Sequence, residues 1–265
     1  MKIAIHGVNG KMGQEIARAA LLDSDCELSA VSVRDSHSWA NRALNSICDI
    51  DSPLKTTSNL EILCQQSDVI IDFTRPDATL SLLPICQRYD RPMMIGTTGF
   101  NAETAAWIER AARHIPIVFA ANTSLGVNVL MEVAKRVASV LPAEDWDVEI
   151  FESHHRRKVD APSGTALKLG EQIALGREVN LAEHMVYPYE NARKTGDIGF
   201  SVMRGGEISG EHTVYFINDH ERLEFTHRAH DRSIFARGAL IAAKWLQGKP
   251  AGLYSMADVL GFRQV

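Results

Sequence analysis

The chain has 265 residues, of which 45% are hydrophobic and 23% are charged, and its net charge is −5 at pH 7. This composition is typical of a folded globular protein of one or two domains and excludes disordered and fibrous classes. The negative charge disfavours nucleic acid and anionic membranes as partners. No apolar run approaches the roughly 18 residues that span a bilayer, and the run before Gly7 is too short for a signal peptide. We therefore expect a cytoplasmic protein.

The first 120 residues alternate apolar strands with amphipathic helices. Strands are predicted at 2–6, 27–33, 68–73, 92–96 and 115–120, and helices from Met12 to Ala20, at 77–87 and at 102–113. The strands have few polar interruptions, as expected when both faces of a sheet are buried. This alternation predicts an α/β fold with a Rossmann-like, doubly wound parallel sheet.

After Asn122 the pattern changes to that of a second, α+β domain. We predict helices at 126–140 and 165–175, a strand at 146–152, and runs suited to antiparallel strands at 198–203, 212–218 and 222–227. A final helix at 234–246 and the tail through Leu260 could pack back on the first domain. The predicted domains are therefore 1–124 with 233–265 for the dinucleotide, and 125–232 for the substrate and oligomerisation.

A glycine-rich turn, Gly7-Val8-Asn9-Gly10-Lys11-Met12-Gly13, joins the first strand to the first helix. Glycines at such a turn allow the backbone to approach a pyrophosphate at the helix N-terminus. The spacing G-x-x-G-x-x-G departs from the usual dinucleotide fingerprint, so an ordinary strand-to-helix turn is the alternative.

The residues after the second strand bear on the choice of cofactor. Val33 occupies the position where an acidic residue would bind a ribose 2′-hydroxyl, and Arg34, which follows it, can pair with a 2′-phosphate. The sequence therefore leans towards NADPH over NADH, and an ordinary solvated arginine at the end of a strand is the alternative.

Two further loops, Gly96-Thr97-Thr98-Gly99 and Ala120-Ala121-Asn122-Thr123-Ser124, follow predicted strands at the edge where such sheets bind ligands. Either loop by itself could also be a simple turn.

A basic loop follows the strand at 146–152. It contains His154, His155, Arg156, Arg157 and Lys158, and Ser163-Gly164-Thr165 then begins a helix whose free N–H groups could bind a carboxylate. A solvated loop is the alternative. Adjacent histidines on a strand face opposite sides and no third ligand is spaced nearby, so we expect no metal site. The four cysteines never approach C-x-x-C spacing, so we expect free thiols.

The string His-His-x-x-Lys-x-Asp-Ala-Pro-Ser-Gly-Thr-Ala resembles the signature of the 4-hydroxy-tetrahydrodipicolinate reductase family. The resemblance extends over essentially the whole chain and includes segments at 7–13, 72–76, 96–99, 122–128, 196–200, 210–213 and 252–254.

The resemblance implies reduction of a small cyclic dicarboxylate by NADPH or NADH in diaminopimelate and lysine biosynthesis, by a homotetramer. It implies that His154 is the acid/base group and that Lys158 donates a proton and contacts substrate. It also implies that His155, Ser163, Gly164 and Thr165 bind the dicarboxylate. The implied cofactor-binding residues are Gly7, Val8, Asn9, Gly10, Lys11, Met12, Arg34, Gly96, Thr97, Thr98, Ala120, Ala121, Asn122 and Thr123.

Two other classes remain open on the sequence. A dinucleotide sensor would keep the glycine turn but would not need the basic loop. An NAD(P)-dependent amino-acid dehydrogenase of similar plan would need different substrate contacts.

Overall fold

The computed structural model describes residues 1–262, and these fall into two compact units. The first contains Met1–Leu125 and the described residues from Arg232 onward, and the second contains Gly126–Asp231. The predicted ranges 1–124 and 125–232 end within one residue of these units, and positions 263–265 of the predicted range 233–265 lie outside the described residues. The ligand-binding roles given to the two domains stay predictions.

The first 119 residues alternate strands and helices, with a 3-10 turn at Leu44–Ser46. Their elements are β1 (Lys2–His6), α1 (Lys11–Leu22), β2 (Glu27–Ser32), β3 (Thr56–Thr57), α2 (Leu60–Gln66), β4 (Val69–Asp72), α3 (Pro76–Arg88), β5 (Met93–Ile95), α4 (Ala102–Ala111) and β6 (Pro116–Phe119).

The middle of the chain contains α5 (Leu125–Ala138), β7 (Asp147–His154), α6 (Gly164–Gly176), α7 (Leu181–His184), β8 (Met185–Val186), β9 (Ile198–Arg204), β10 (Glu211–Ile217) and β11 (Arg222–Arg228). The last elements are α8 (Ser233–Trp245), β12 (Gly252–Tyr254) and α9 (Met256–Val259).

The sheet of the first unit is parallel, with the order β12-β6-β5-β4-β1-β2-β3. Successive residues of β1 enter different cores: Ile3 and Ile5 join the cluster that includes α1 and α8, and Ala4 joins the cluster with residues of α2, α3 and α4. Helices therefore cover both faces, which explains the unbroken apolar strands. The predicted doubly wound parallel sheet is confirmed.

The second unit has a mixed sheet with the order β11-β10-β7-β9-β8, packed against α5 and α6. β10 pairs antiparallel with β7 and β11, whereas β9 pairs parallel with β7 and β8. The prediction that β9 runs antiparallel was wrong. The connection from β7 to β9 contains α6 and α7, and so long a crossover permits parallel pairing, whereas a short turn joins β10 to β11.

The short elements β3, α2, α7, β8, β12 and α9 were not predicted. A strand of two or three residues is too short for its alternation to be recognised in sequence. β12 nevertheless extends the sheet of the first unit by pairing with β6. Among the described residues, no helix has the length and apolar character needed to cross a membrane.

Candidate active site

In the turn between β1 and α1, backbone segments approach one another closely. Gly7 has φ +81°, and the N–H groups of Gly7 and Val8 both donate to the carbonyl of Ser32 at 3.1 and 3.0 Å. A Cβ at Gly13 would lie 2.3 Å from the Gly7 carbonyl oxygen, so only glycine fits there. The first turn of α1 has no acidic residue and no side-chain cap, which leaves its N–H groups available to an anion.

A cleft of about 500 Å³ opens beside this turn. Nine of the residues predicted to bind the cofactor line it: Gly10, Lys11, Met12, Gly96, Thr97, Thr98, Ala121, Asn122 and Thr123. The structure adds four residues that the sequence analysis did not assign to the site: Phe73, Thr74, Arg232 and Phe235.

A smaller cavity of about 300 Å³ shares Gly10, Phe73 and Thr74 with the cleft. It is also lined by Gly7, Asn9, Arg34, His6, Val33 and Arg75. Val8 and Ala120 line neither cavity: Val8 is fully buried in the core, and Ala120 packs against the same cluster. The cofactor-binding role of these two residues stays a prediction.

Buried hydroxyl groups tie the ends of β4 and β5 together beneath the cleft. Thr97 Oγ1 accepts the N–H of Thr74 at 2.8 Å, and the buried carboxylate of Asp72 accepts the hydroxyls of Thr74 and Thr79. The Phe73 ring covers Gly96, where a Cβ would lie 2.1 Å from the ring. These contacts hold two of the loops that line the cleft.

The second unit places the predicted proton donor beside a buried carboxylate. His154 Nδ1 donates to Glu152 Oε2 at 2.5 Å, and Glu152 has no exposed surface. Arg204 donates to both Glu152 oxygens, at 2.8 and 2.7 Å, and the Ser163 N–H donates to Oε1 at 2.9 Å. His154 is therefore the last residue of β7, held through Glu152 by Arg204 of β9, and does not belong to the loop that was predicted to begin after residue 152.

Lys158 lies four residues further along and is paired with a carboxylate. Its Nζ is 2.9 Å from Asp160 Oδ2, and this hydrogen bond keeps the pKa of Asp160 below its usual value. The Asp160 carbonyl accepts from Arg204 at 2.6 Å, which links this pair to the Glu152 cluster. Arg157, by contrast, pairs with Glu207 in solvent.

The N-terminus of α6 is open. Ser163 caps the helix by accepting the Ala166 N–H at 3.1 Å, and no atom lies within 4 Å of a Cβ built on Gly164. Gly164 is exposed and His155 and Thr165 are half-buried, whereas Ser163 is buried. Ser163 therefore contributes to this site mainly by positioning the helix.

Hydrogen bonds, neighbouring charges and burial shift the pKa values of Glu152 and His212 in this cluster. Burial raises the pKa of Glu152, but hydrogen bonds from His154 and Arg204, with the charge of His154, outweigh burial and lower it to about 2. Burial, and next the charge of His154, lower the pKa of His212 to about 3. Glu152 is thus an anion and His212 a neutral ring at pH 7.

Sequence reasoning missed Glu152, Arg204 and His212 as members of this cluster. His212 Nε2 lies 3.2 Å from Ser163 Oγ, and its ring centre is 5.3 Å from that of His154. The signal available in the sequence was the spacing of Glu152 and His154, because residues i and i+2 of a strand share one face. The described residues contain no cluster of His, Cys, Asp or Glu suited to a metal ion.

Comparison with known proteins identifies the family. Residues 1–123 match dihydrodipicolinate reductase, N-terminus, and residues 126–260 match dihydrodipicolinate reductase, C-terminus. The chain belongs to the dihydrodipicolinate reductase family. The resemblance seen in the sequence is confirmed, and with it the class of enzyme, an oxidoreductase that uses a nicotinamide cofactor.

Relatives within the dihydrodipicolinate reductase family align over their full length. The 4-hydroxy-tetrahydrodipicolinate reductase of Caulobacter vibrioides is 44% identical, over 100% of this chain and 98% of that protein. The enzyme of the same name from Thiobacillus denitrificans is 42% identical, over 99% of each.

Solved structures of other proteins have a similar fold. Dipicolinate-bound dihydrodipicolinate reductase from Paenisporosarcina sp. TG-14 has a TM-score of 0.79 and 26% identity, and covers 96% of this chain and 97% of that one. A probable dehydrogenase from Thermotoga maritima has a TM-score of 0.57 at 10% identity over 98% and 92% of the two chains, so it shares the fold alone.

Proposed function

We propose that this chain reduces 4-hydroxy-tetrahydrodipicolinate to tetrahydrodipicolinate in diaminopimelate and lysine biosynthesis. One observation carries the proposal: His154, Lys158 and the open N-terminus of α6 come together around Glu152 and Arg204. This arrangement offers a proton donor, a cation and the N-terminus of a helix to a small dicarboxylate. The full-length relatives named for this reaction support it.

The residues of the first unit fit a nicotinamide dinucleotide. The uncapped N-terminus of α1 beside Gly7 and Gly10 suits a pyrophosphate, and the cleft lined by Gly96, Thr98 and Asn122 suits the nicotinamide. When bound, the reduced nicotinamide supplies hydride. Gly7, Val8, Asn9, Gly10, Lys11, Met12, Gly96, Thr97, Thr98, Ala120, Ala121, Asn122 and Thr123 would hold it.

His154 delivers the proton of the reaction. Its Nδ1 is engaged with Glu152, so Nε2 is the atom that can give a proton to the reduced ring. The product lacks the 4-hydroxyl of the substrate, so the overall reaction consumes one proton and releases water. Lys158 contacts a substrate carboxylate and donates to the departing 4-hydroxyl, while the neighbouring ring carbon gives up a proton in that elimination, so the net uptake remains one proton.

The substrate carboxylates bind to backbone and cations. Gly164 and Thr165 present the first N–H groups of α6, and His155 and Lys158 add side-chain donors. The solved relative has dipicolinate bound, a ring with two carboxylates, which supports this class of ligand.

We also infer a preference for NADPH. Val33 is buried and apolar, so it cannot accept a bond from a ribose 2′-hydroxyl, and the exposed Arg34 lines the small cavity beside the turn. The next carboxylate, Asp35, accepts the hydroxyl of Ser58 at 3.0 Å. Arg34 is therefore available for a 2′-phosphate.

We further propose that the enzyme is a cytoplasmic homotetramer whose first domain binds dinucleotide and whose second binds substrate. The sheet of the second unit would form the interface. Its face opposite to α5 and α6 has the side chains of Phe151, Met203 and Tyr215, and Met203 is 44% exposed.

The test is oxidation of NADPH and NADH, followed by absorbance, with and without the dicarboxylate substrate. We expect oxidation only with substrate. Binding of dinucleotide without turnover would indicate a sensor, and turnover with an amino acid or keto acid instead would indicate a different dehydrogenase.

Substitutions at His154 and Lys158 test the catalytic roles proposed for these residues. His154→Ala and Lys158→Ala should each lower kcat by roughly 100- to 10,000-fold, and Lys158→Ala should also raise KM. Arg157→Ala removes a neighbouring cation that pairs with Glu207 in solvent, and it should stay near wild type. Full activity of both single variants would return the loop to a solvated role.

A further inference from the structure

Glu152 is an ionised side chain in the middle of a sheet. It lies on β7 between His212 of β10 and Val202 of β9, and it has no exposed surface. A buried carboxylate is costly unless all its hydrogen bonds are made and a cation is near. Arg204 supplies two of those bonds, which explains how the charge is retained.

The two oxygens of Glu152 serve different parts of the site. Oε2 accepts His154 Nδ1, and Oε1 accepts the N–H of Ser163, the residue that caps α6. Arg204 bonds to both oxygens and so fixes the plane of the carboxylate. The Glu152 carboxylate therefore fixes both the orientation of the ring of the proposed proton donor and the position of the N-terminus of the proposed carboxylate-binding helix.

We propose that Glu152 is a positioning residue that keeps the proton of neutral His154 on Nδ1, stabilises the ring when it gains a second proton on Nε2, and links both to the N-terminus of α6. The inference deepens the proposed reaction and rests on it. An ionised carboxylate can only accept, so Nδ1 must donate, and Nε2 is left as the site that gains and loses a proton.

The other charges around His154 do not replace this role. Two titratable groups contact its ring, Glu152 on its own strand and His212 on β10. Arg204 lies opposite His154 on β9 and bonds to Glu152. The charges of His227 on β11 and of Lys158, which is paired with Asp160, act on the neighbouring His212. Arg204 and Lys158 are cations and disfavour a second proton on His154, and burial keeps His212 neutral. Asp160 is paired with Lys158, so Glu152 is the anion in contact with the ring.

The first measurement needs no substitution at Glu152. In the wild-type enzyme with ¹³C- and ¹⁵N-labelled histidine, assigned with His154→Gln, we expect the neutral ring of His154 to be protonated on Nδ1. A ring protonated on Nε2 would overturn the proposal even if no Glu152 variant folds.

The second measurement separates charge from position. Glu152→Gln keeps an oxygen acceptor but removes the charge, so the midpoint of the His154 titration, and the alkaline fall of kcat, should both move down by about one pH unit or more. Glu152→Asp keeps the charge with a shorter side chain, so kcat should fall while the alkaline limb stays near its wild-type position.

The matched control is Glu149→Gln. Glu149 is on the same strand but accepts from Tyr189 and Ser201 and lies 3.6 Å from Arg193. The His154 midpoint should not move in this variant. Equal movement in Glu149→Gln and Glu152→Gln, or none in either, would overturn the role of Glu152.

Failure of the role proposed for Glu152 can be distinguished from failure of the proposed reaction. An inactive wild-type enzyme would contradict the reaction, yet the tautomer and titration of His154 would still be readable. An active enzyme with an unmoved midpoint in Glu152→Gln would overturn the inference alone.

Discussion

Protonation of His212 is opposed by its position in the second unit. The ring is 4% exposed, lies beside the ring of His154, and has Ser163 Oγ 3.2 Å from its Nε2. Burial is the main reason that its pKa falls to about 3. An unfolded chain binds a proton at this residue below about pH 6.5, whereas the folded chain does not until about pH 3.

We therefore expect acid to destabilise the fold before carboxylates titrate. The unfolded state binds more protons between those two pH values, so this contribution to stability is complete above about pH 6.5 and is lost progressively towards pH 3. Tm should fall from pH 7.5 to 5, and His212→Gln should reduce that fall. His220→Gln, at an exposed site, is the control. A fall of Tm that is the same in all three proteins would contradict the assignment.

Arg34 is the residue on which the preference for NADPH depends. A charge-assisted contact to the 2′-phosphate contributes about 1.5 to 3 kcal/mol, so Arg34→Ala should lower kcat/KM for NADPH by roughly 10- to 150-fold. The value for NADH should change little, because NADH has no 2′-phosphate. Arg113→Ala, at another exposed arginine of the first unit, is the control. A wild-type preference for NADH that Arg34→Ala leaves unchanged would rule out the contact.

At the scale of elements, both proposed anion sites are helix N-termini that follow a strand. α1 follows β1 through a turn that only glycine permits at Gly13, and α6 follows β7 through the basic loop. The two helix N-termini differ in the space available to a side chain: Gly13 is packed on the backbone of Gly7, whereas Gly164 faces open space. A side chain at Gly164 is thus compatible with the fold.

Substitution at Gly164 should consequently affect ligand binding and not folding. Gly164→Val places two methyl groups over the first N–H groups of α6, so we expect dipicolinate affinity to fall at least tenfold, about 1.4 kcal/mol. The affinity for NADPH should stay unchanged, since its proposed site is in the first unit. Calorimetric titration of each ligand, with Gly164→Ala as a milder change, decides between the outcomes. Equal loss of both affinities would indicate a folding defect.

At the scale of the whole molecule, the proposed tetramer depends on the open face of the sheet in the second unit. Met203→Asp places a charge on that face, and Met203 is 44% exposed, so the substitution opens no cavity in the core. We expect the mass measured by light scattering to fall from that of four chains to that of two or one. Leu22→Asp, at an 89% exposed leucine of the first unit, should leave the mass unchanged. A tetramer that persists in Met203→Asp would place the interface elsewhere.

The sequence by itself determined the elements whose burial is uniform. Strands β1, β4 and β5 are covered on both faces, so continuous apolar residues such as Ile70 and Ile71 identify them locally. The string from His154 to Ala166 likewise identified the family and the basic loop, because those residues are adjacent in the chain.

Only the tertiary structure decided which distant residues share a site. Arg204 reaches Glu152 across 52 residues, and the hydroxyl of Thr123 donates to the carbonyl of Phe235 across 112. Such contacts depend on strand order, direction and register, and the sequence pattern of β9 fits parallel and antiparallel pairing equally well. The partners of Glu152 were therefore set when β7 paired with β9 and β10, and no local pattern could specify them.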